Sequence, residues 1–306
     1  MPKVSVIVPT HNRADLLKAA IQSVLDQTYA DFELLVCDDA SNDHTTDTVA
    51  GFSDPRIIYT RYEKNSGVVE LRNNAVDSSR GAYIAFLDDD DEWLPEKLEK
   101  QVNVLDRSSR ETGAVFTGAI FLDTRLGRER VVIPRHSGNI FKELLFNDFI
   151  VTSSLVVKKS CFEKAGRFDH EFKSASDFDM WIRISALFEF DCIEEPLVRY
   201  RVHQNSISNN NLNVIRGLER LIAKHSNSFN GNKRAYGNHL FKLGIAYCYN
   251  GNMSEGRKAL IKAIQLNPHD VRYYYNLAIS SMGAETFKKI KEIRARYFPL
   301  KKTAAA

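Results

Sequence analysis

The N-terminal third of the chain alternates short apolar runs with amphipathic segments. The runs at 4–8, 32–37, 57–62 and 83–87 are rich in β-branched and other apolar residues and predict buried strands. Apolar residues at helical spacing predict helices over 13–27, 45–50, 68–79 and 94–110. Strands that alternate with helices form a parallel sheet with helices on both faces. This region therefore predicts an α/β fold with a mostly parallel, Rossmann-like sheet.

From residue 114 the pattern is mixed. Strands are expected at 114–121, 131–134, 153–157 and 190–200, and helices at 140–149, 159–165 and 177–187. The polar stretch 203–213 is rich in asparagine and predicts a loop or linker. We therefore expect one α/β domain over residues 1–206 and a second, all-helical segment over 207–302.

The C-terminal segment contains a faint internal repeat. The offsets of a tetratricopeptide repeat, whose period is about 34 residues, are matched by Leu243, Gly244, Tyr247, Ala263 and Pro268. One such repeat cannot bury its own apolar face. The segment is therefore expected to pack on the main domain, on a helix at 213–225 or on a second copy of the chain.

The last predicted helix is amphipathic and basic. Its apolar side carries Phe287, Ile290, Ile293 and Tyr297. The basic residues around and beyond that side are Lys288, Lys289, Lys291, Arg294, Arg296, Lys301 and Lys302. Such a helix either closes the repeat segment with its apolar side inward or lies on an anionic membrane surface. We favour the closing helix, because a repeat segment needs a cap.

Composition narrows the range of functions. The net charge of +3 on 306 residues is too small to indicate nucleic-acid binding. The four cysteines are scattered in apolar surroundings, as expected for free thiols in a reducing compartment. The first apolar run is too short for a secretory signal, and no segment approaches the length of a membrane span. We expect a cytoplasmic protein, with peripheral membrane contact through the last helix as the alternative.

Four consecutive carboxylates, at 88–91, directly follow the fourth predicted strand. Crowding like charges at the end of a buried strand is unfavourable unless a positive group lies there. Ligands bind at the carboxyl ends of strands in open α/β sheets, and oxygen ligands suit Mg²⁺ or Mn²⁺. The run therefore predicts a cation that carries a diphosphate. The alternative is an acidic first turn of a helix, stabilised by the helix dipole.

Two other strands also end in polar groups, which should lie at the same edge of the sheet. Thr10 and Asn12 follow the first strand, and Asp38 and Asp39 follow the second. Asp38 and Asp39 either contribute to a ligand site at this edge or cap the helix near residue 45. Arg72 could hold a phosphate or position Asp39, or it could lie on a solvated helix face.

Five motifs occur in a characteristic order: VSVIVPTHNR at 4–13, DDASND at 38–43, LRNNA at 71–75, GAYIAFLDDDD at 81–91 and SDFDMW at 176–181. Together they resemble the family 2 inverting glycosyltransferases of the GT-A fold, over about residues 3–206. The resemblance implies a nucleotide-sugar site made of Pro9, Thr10, Asn12, Asp38, Asp39, Arg72, Asp88 and Asp89. It also implies Asp90 as the direct ligand of Mn²⁺ or Mg²⁺.

Three further residues complete this expectation. The resemblance implies that Asp177 is the general base, with Asp179 as a weaker candidate, although Ser176 stands where many relatives have Glu. His203 either reaches the metal or the diphosphate, or is a surface histidine. Asp91 is expected to be a helix cap, because it lies next to the predicted helix start.

The sequence thus predicts an inverting transferase that moves a sugar from a nucleoside diphosphate, most simply UDP, to a hydroxyl of a glycan or lipid-linked acceptor. A sugar nucleotidyltransferase is disfavoured, because residues 9–12 lack the glycines of its phosphate loop. A hydrolase would need two carboxylates but not Asp38, Asp39 and Arg72. A non-catalytic nucleotide-sugar-binding or repeat protein is the remaining alternative, and Asp90 and Asp177 argue against it.

Overall fold

The computed structural model describes residues 1–124, 127–202 and 211–297, and the side chains within them up to residue 293. The chain divides into two compact units. The first comprises Met1–Phe141, Phe149–His170 and Met180–Gln204, and the second comprises Lys142–Asp148, Glu171–Asp179 and Asn205–Ala306. The boundary that the sequence predicts at 206/207 lies outside the described residues, as does His203, and stays a prediction.

The strands of the first unit form one nine-stranded sheet in the order β3-β2-β1-β4-β8-β6-β9-β5, with β7 paired to β6. They are β1 (Val4–Thr10), β2 (Phe32–Asp38), β3 (Ile57–Arg61), β4 (Tyr83–Phe86), β5 (Glu92–Trp93), β6 (Thr112–Asp123), β7 (Arg128–Val132), β8 (Val156–Lys158) and β9 (Glu189–Val202). The first four strands are parallel. The pairings of β4 with β8 and of β6 with β7 and β8 are antiparallel, so the sheet is mixed beyond β4.

The helices alternate with the strands in the first part of the chain and then continue alone. They are α1 (Ala14–Leu25), α2 (Thr45–Ala50), α3 (Val68–Ser78), α4 (Lys97–Arg107), α5 (Phe141–Phe146), α6 (Ser160–Ala165), α7 (Ser176–Ser185), α8 (Asn211–Lys224), α9 (Ser226–Asn230), α10 (Lys233–Tyr249), α11 (Met253–Leu266), α12 (Val271–Ser280) and α13 (Ala284–Tyr297). The division between the two units falls within α5 and α7.

Helices cover both faces of the sheet in the first unit. Ala85 of β4 belongs to a core cluster that includes residues of α1, α2 and α4. Its neighbour Phe86 points to the opposite face. There its ring contacts Phe162 of α6, Trp181 of α7 and Phe168, which lies between these two helices in the chain. The predicted α/β fold class, with helices on both faces and a helical C-terminal segment, is confirmed.

Several expected element bounds are wrong. The strand expected at 153–157 begins at Val156, because residues 152–154 form a 3-10 helix. The first strand, expected at 4–8, continues through Pro9 to Thr10, in register with β2. β4 pairs only with residues up to Ile7, so at Pro9 β1 has a single neighbouring strand and a missing N–H is tolerated. The helix expected at 94–110 starts only at Lys97, because residues 92–93 pair with β9 as strand β5. Asp91 therefore precedes a strand and caps no helix.

Glycines allow two helices of the second unit to cross closely. A Cβ atom added to Gly256 of α11 would lie 2.4 Å from the Sγ of Cys248, and one added to Gly244 of α10 would lie 2.9 Å from Leu260 Cγ. Both distances are shorter than side chains tolerate. α10 and α11 thus form a tight hairpin at the position where the sequence suggests a repeat. The assignment of this hairpin as a tetratricopeptide repeat stays a prediction.

The side chains of the last helix are partly packed. Phe287 is fully buried in a cluster with Cys248 and Ile279, and Ile290 packs against the same cluster. Ile293 is 46% exposed, and the side chains from 294 onward, including Tyr297, lie outside the described part of the chain. The burial of Phe287 favours the closing-helix interpretation. Contact with a membrane or with a second copy stays a prediction.

No helix among the described residues combines the length and the apolar character needed to cross a membrane.

A buried histidine lies in the core of the second unit. His239 of α10 donates from Nε2 to the carbonyl oxygen of Leu145 at 2.9 Å, and its ring contacts those of Phe178 and Phe229. Its Nδ1 has no hydrogen-bond partner in the described residues. Burial lowers the pKa of His239 from 6.5 to about 3. The imidazole is therefore neutral in the folded protein.

We predict that this histidine makes stability decrease as the pH falls. The folded-state pKa lies below the unfolded value of 6.5. Below pH 6.5 the unfolded chain therefore binds a proton that the folded chain does not, and this binding stabilises the unfolded state. Between pH 7.5 and 5.5, the stability difference between the parent and His239→Gln should change by about 1.4 kcal/mol, to the parent's disadvantage. Urea unfolding at both pH values measures it. The control is His269→Gln, which removes an exposed histidine of the same unit and should change stability at pH 7.5 by less than about 0.5 kcal/mol.

Candidate functional site

The loops after β1 and β2 are bonded to each other. The backbone N–H of Asp39 donates to the carbonyl oxygen of Thr10 at 2.9 Å, and the Asn12 side chain accepts from the N–H of Asn42 at 2.7 Å. Asn12 (φ 53°) and Ala40 (φ 57°) adopt left-handed backbone conformations. Such strained residues cluster at functional sites. The two strand ends that the sequence singles out therefore form one structure.

Asp38 is fully buried and organises the end of β2. Its Oδ1 accepts from the N–H of Ser41 at 2.9 Å, and its Oδ2 accepts from the hydroxyl of Tyr59 at 2.6 Å. Arg61 Nε lies 3.6 Å from the same Oδ2. Asp38 thus does not cap α2.

Asp39 bonds to the start of α3 rather than to α2. Its Oδ1 accepts from the N–H of Ser66 at 2.7 Å, and its Oδ2 accepts from the N–H of Gly67 at 2.8 Å. The capping alternative for α2 is therefore wrong. The residue that bonds to the first turn of α2 is Asp43, which accepts from the N–H and hydroxyl of Thr45.

The acidic run after β4 is balanced first by Arg13. A single guanidinium nitrogen, Nη1, lies 2.9 Å from Asp89 Oδ1 and 2.9 Å from Asp90 Oδ2. The hydroxyl of Thr10 donates to the second oxygen of Asp89 at 2.8 Å. Arg13 thus joins the end of β1 to the acidic run, a task that the sequence did not reveal.

Arg72 balances the other end of the run. Its Nη2 donates to Asp88 Oδ1 at 2.7 Å, and its guanidinium carbon lies 6.0 Å from the ring of Phe86 and 5.9 Å from that of Phe168. The side chain is only 6% exposed, and its Nε has no hydrogen-bond partner among the described residues. The solvated-face alternative for Arg72 is therefore wrong, and the residue carries a positive charge into the core of the site.

Asp91 anchors the acidic loop from within. Its Oδ2 accepts from the hydroxyl of Ser153 at 2.6 Å, and its Oδ1 accepts from the backbone N–H of Arg201 at 3.0 Å. The same Ser153 oxygen accepts from the N–H of Asp88 at 3.1 Å. Asp91 is thus a buried structural residue whose hydrogen bonds hold the loop in place.

The acids of this run differ in pKa and in exposure, because they differ in burial and in their distance from neighbouring charges. Burial raises the pKa of Asp89 to about 6, against the lowering effect of the Arg13 charge. Burial, together with the charges of Asp88 and Asp90, also raises the pKa of Asp91 well above its usual range. Asp88 and Asp90 have more exposed side chains, at 33% and 13%. They are the carboxylates that an incoming ligand can reach most easily.

The donor set suits a hard divalent cation. Within the described residues, no three His, Cys, Asp or Glu side chains are grouped as a metal site. The carboxylate oxygens of Asp88 and Asp90 are the kind of ligand that Mg²⁺ and Mn²⁺ take, and these ions need only one or two protein carboxylates when a diphosphate supplies further oxygens. The residues present therefore fit such an ion.

The second unit contains Asp177 and Asp179, which have different surroundings. Asp179 is fully buried, and its two oxygens accept from Lys224 Nζ and His225 Nε2, each at 2.9 Å. Asp177 is partly exposed and lies in the first turn of α7, which follows Ala175 in a left-handed conformation (φ 63°). Asp179 is therefore a structural residue, and Asp177 is the acid accessible for chemistry in this turn.

The first unit thus brings together Thr10, Asn12, Asp38 and Asp39 at the ends of β1 and β2, with Asp88, Asp89 and Asp90 after β4 and Arg72 on α3. Arg13 and Ser153 are the residues of this cluster that sequence reasoning missed. Arg13 stands inside the first motif, and the uncompensated charge of the acidic run was the signal that could have drawn attention to it.

The model of glycosyl transferase family 2 matches residues 5–164, more than half of the chain. The chain belongs to glycosyl transferase family 2. The resemblance seen in the sequence is thereby confirmed.

Curated glycosyltransferases are similar to this chain over most of their length. The UDP-Glc:α-D-GlcNAc-diphosphoundecaprenol β-1,3-glucosyltransferase WfgD of Escherichia coli is 32% identical, with 68% of this chain and 80% of WfgD covered. The uncharacterized glycosyltransferase RT0329 of Rickettsia typhi is also 32% identical, with coverages of 72% and 70%.

Solved structures share the fold at low sequence identity. S. aureus TarS 1-349 in complex with UDP-GlcNAc gives a TM-score of 0.64 at 17% identity, with 96% of this chain and 92% of TarS 1-349 covered. The mannosyltransferase PcManGT of Pyrobaculum calidifontis, in complex with GDP-Man and Mn²⁺, gives 0.63 at 18% identity, with coverages of 97% and 81%. This chain covers 55% of a longer TarS structure. These neighbours have the GT-A-like fold that the resemblance implies.

We predict that Ser153→Ala destabilises the protein by about 1–3 kcal/mol, because it leaves the buried Asp91 carboxylate and the Asp88 N–H each without a partner from that hydroxyl. Urea unfolding measures the loss. In the control, Ser78→Ala, the lost hydroxyl is exposed and bonds only to backbone oxygens of its own helix, so the change should stay within about 0.5 kcal/mol. Equal losses in the two variants would show that the Ser153 hydroxyl does not hold the acidic loop.

Proposed function

We propose that the protein is an inverting glycosyltransferase that transfers a sugar from a nucleoside diphosphate to a hydroxyl group. The observation that supports this most strongly is the cluster in the first unit, where two arginines and the acidic run lie beside the ends of β1 and β2. A site with both acidic and basic groups suits a ligand that itself combines a diphosphate with a cation.

The nucleotide would lie at the ends of β1 and β2. Pro9, Thr10 and Asn12 would border the base, and Asp39 would accept the hydrogen bond from the uracil N3–H. Asp38, whose side chain is fully buried, would act through the loop that it holds by its bonds to Ser41 and Tyr59. We therefore propose UDP as the nucleotide, because a carboxylate acceptor complements the N3–H of uracil.

The diphosphate would lie near Arg72 and the acidic run. Asp88 and Asp89 would contact the ribose or water on the cation, and Asp90 would bind the Mn²⁺ or Mg²⁺ directly. When bound, the cation neutralises the charge that grows on the departing diphosphate. Arg72 contributes a fixed positive charge to the same end of the site. His203 stays a prediction as an additional ligand.

Asp177 would act as the general base. Its carboxylate takes the proton of the acceptor hydroxyl while that oxygen forms a bond to the anomeric carbon. The bond from the anomeric carbon to the diphosphate oxygen breaks, and the electron pair leaves with the diphosphate. Attack opposite the leaving group inverts the anomeric centre. Asp179 is unsuited to this role, because it is buried and paired with Lys224 and His225.

The relatives suggest a substrate class. WfgD uses UDP-Glc and a lipid diphosphate-linked acceptor, and TarS 1-349 binds UDP-GlcNAc. We therefore propose a UDP-hexose or UDP-N-acetylhexosamine as the donor and a hydroxyl of a glycan or lipid-linked glycan as the acceptor. A panel of UDP-Glc, UDP-GlcNAc and GDP-Man, assayed for hydrolysis and transfer with Mn²⁺, tests both the nucleobase and the sugar of the donor. Turnover of GDP-Man alone would overturn the uracil assignment.

We predict that Mn²⁺ strengthens UDP binding and that Asp90→Ala removes this effect. One or two carboxylates make a weak cation site until the diphosphate joins them. In calorimetry, UDP affinity should rise roughly tenfold or more with Mn²⁺ in the parent, about 1.4 kcal/mol, and should be insensitive to Mn²⁺ in the variant.

The matched control for this experiment is Asp31→Ala. Asp31 is an exposed carboxylate that precedes β2, at the opposite end of that strand from Asp38. The Asp31→Ala variant should bind UDP and respond to Mn²⁺ as the parent does. UDP binding of equal strength with and without Mn²⁺ in the parent would contradict the metal assignment.

We predict that Asp177→Asn retains donor binding but lowers the rate of transfer by about 10²–10⁴-fold, because asparagine keeps the shape and cannot take the proton. Calorimetry with UDP and a transfer assay separate the two effects. Glu143→Gln, which neutralises an exposed acid of α5 in the same unit, should leave both unchanged. Transfer at the parent rate in Asp177→Asn would place the base elsewhere.

A further inference from the structure

The structure assigns Arg13 a role that the proposed chemistry does not use. Its Nη1 lies 2.9 Å from an oxygen of each of two adjacent carboxylates, Asp89 and Asp90. Asp90 is the residue that we propose as the cation ligand. A positive group therefore lies at counter-ion distance from this carboxylate.

The fold holds Arg13 in this position. Its backbone carbonyl accepts from the N–H groups of Leu16 and Leu17 at 3.1 and 2.9 Å, so the residue is fixed at the start of α1. Its side chain is only 22% exposed. Charge-assisted bonds of this kind are stronger than neutral ones, and partial burial reduces their screening by solvent. A divalent cation that approaches Asp90 alone must therefore compete with the guanidinium.

We infer that Arg13 acts as an internal counter-ion that couples cation binding to nucleotide binding. Without nucleotide, it pairs with Asp89 and Asp90 and keeps the cation affinity low. The diphosphate offers the guanidinium a new anionic partner and releases Asp90 to the cation. Arg13 is thus a positioning residue, and the inference rests on the proposed function because it requires a cation at Asp90.

The inference predicts a gain of binding, which loss of structural support would not produce. In Arg13→Gln, the affinity for Mn²⁺ alone should rise by roughly tenfold or more, since a competing charge at the same carboxylates is gone. The enhancement of Mn²⁺ binding by UDP should shrink by a similar factor, because the coupling between the two ligands is reciprocal. Titration of Mn²⁺ into the full chain, with free Mn²⁺ followed by electron paramagnetic resonance, measures both quantities without turnover.

Three further variants complete the design. Arg13→Lys keeps the positive charge and should keep the affinity for Mn²⁺ alone within about threefold of the parent, since a lysine still competes as a point charge. Arg110→Gln removes an exposed arginine of the first unit and should match the parent, which controls for net charge. Arg13→Met fills similar space without charge and repeats the test if Arg13→Gln does not fold.

The outcomes separate this inference from the proposed function. If UDP does not strengthen Mn²⁺ binding in the parent, the proposed cation site itself is wrong. If UDP does strengthen it, but the neutral Arg13 variants bind Mn²⁺ alone no more tightly than the parent, only the role of Arg13 is overturned. Weaker Mn²⁺ binding in those variants, with and without UDP alike, would likewise overturn it and make Arg13 a purely structural residue.

Discussion

The crowding of four carboxylates at the end of β4 is the constraint on which the site in the first unit depends. Two arginines from different parts of the chain relieve it, Arg13 at the start of α1 and Arg72 on α3. Their charges are placed by backbone elements and, for Arg72, by two aromatic rings. The convergence of β1, α3 and the acidic loop is therefore an electrostatic requirement as much as a result of packing.

Much of the fold could be predicted from the sequence, because strand and helix periods are local properties. The same reasoning failed where a partner lies far away in the chain. Residues 92–93 form a strand because β9 lies beside them, so the helix expected from residue 94 starts at Lys97 and Asp91 has no helix to cap. Pro9 stays within β1 because of where β4 stops pairing.

The candidate site shows the same division between local and distant information. The acidic run and the polar strand ends could be recognised directly, since charge at the end of an apolar strand is a local signal. The partners could not, because Arg13 and Asp89 are 76 residues apart. The resemblance favours Asp177 over Asp179 as the base, but only the position of Lys224 and His225 shows that Asp179 is an internal ion-pair residue.

That ion pair has a consequence for how far the chain can be shortened. Asp179 bonds to Lys224 and His225 at the end of α8, and these bonds tie the first turn of α7 to that end of α8. Asp177 lies in the same turn, so its position depends in part on residues more than forty positions downstream. A chain that ended at residue 206 would retain every residue proposed for chemistry, yet it would lose two residues that hold the helical turn of one of them. The part of the chain that holds the proposed base in place therefore extends beyond the five sequence motifs.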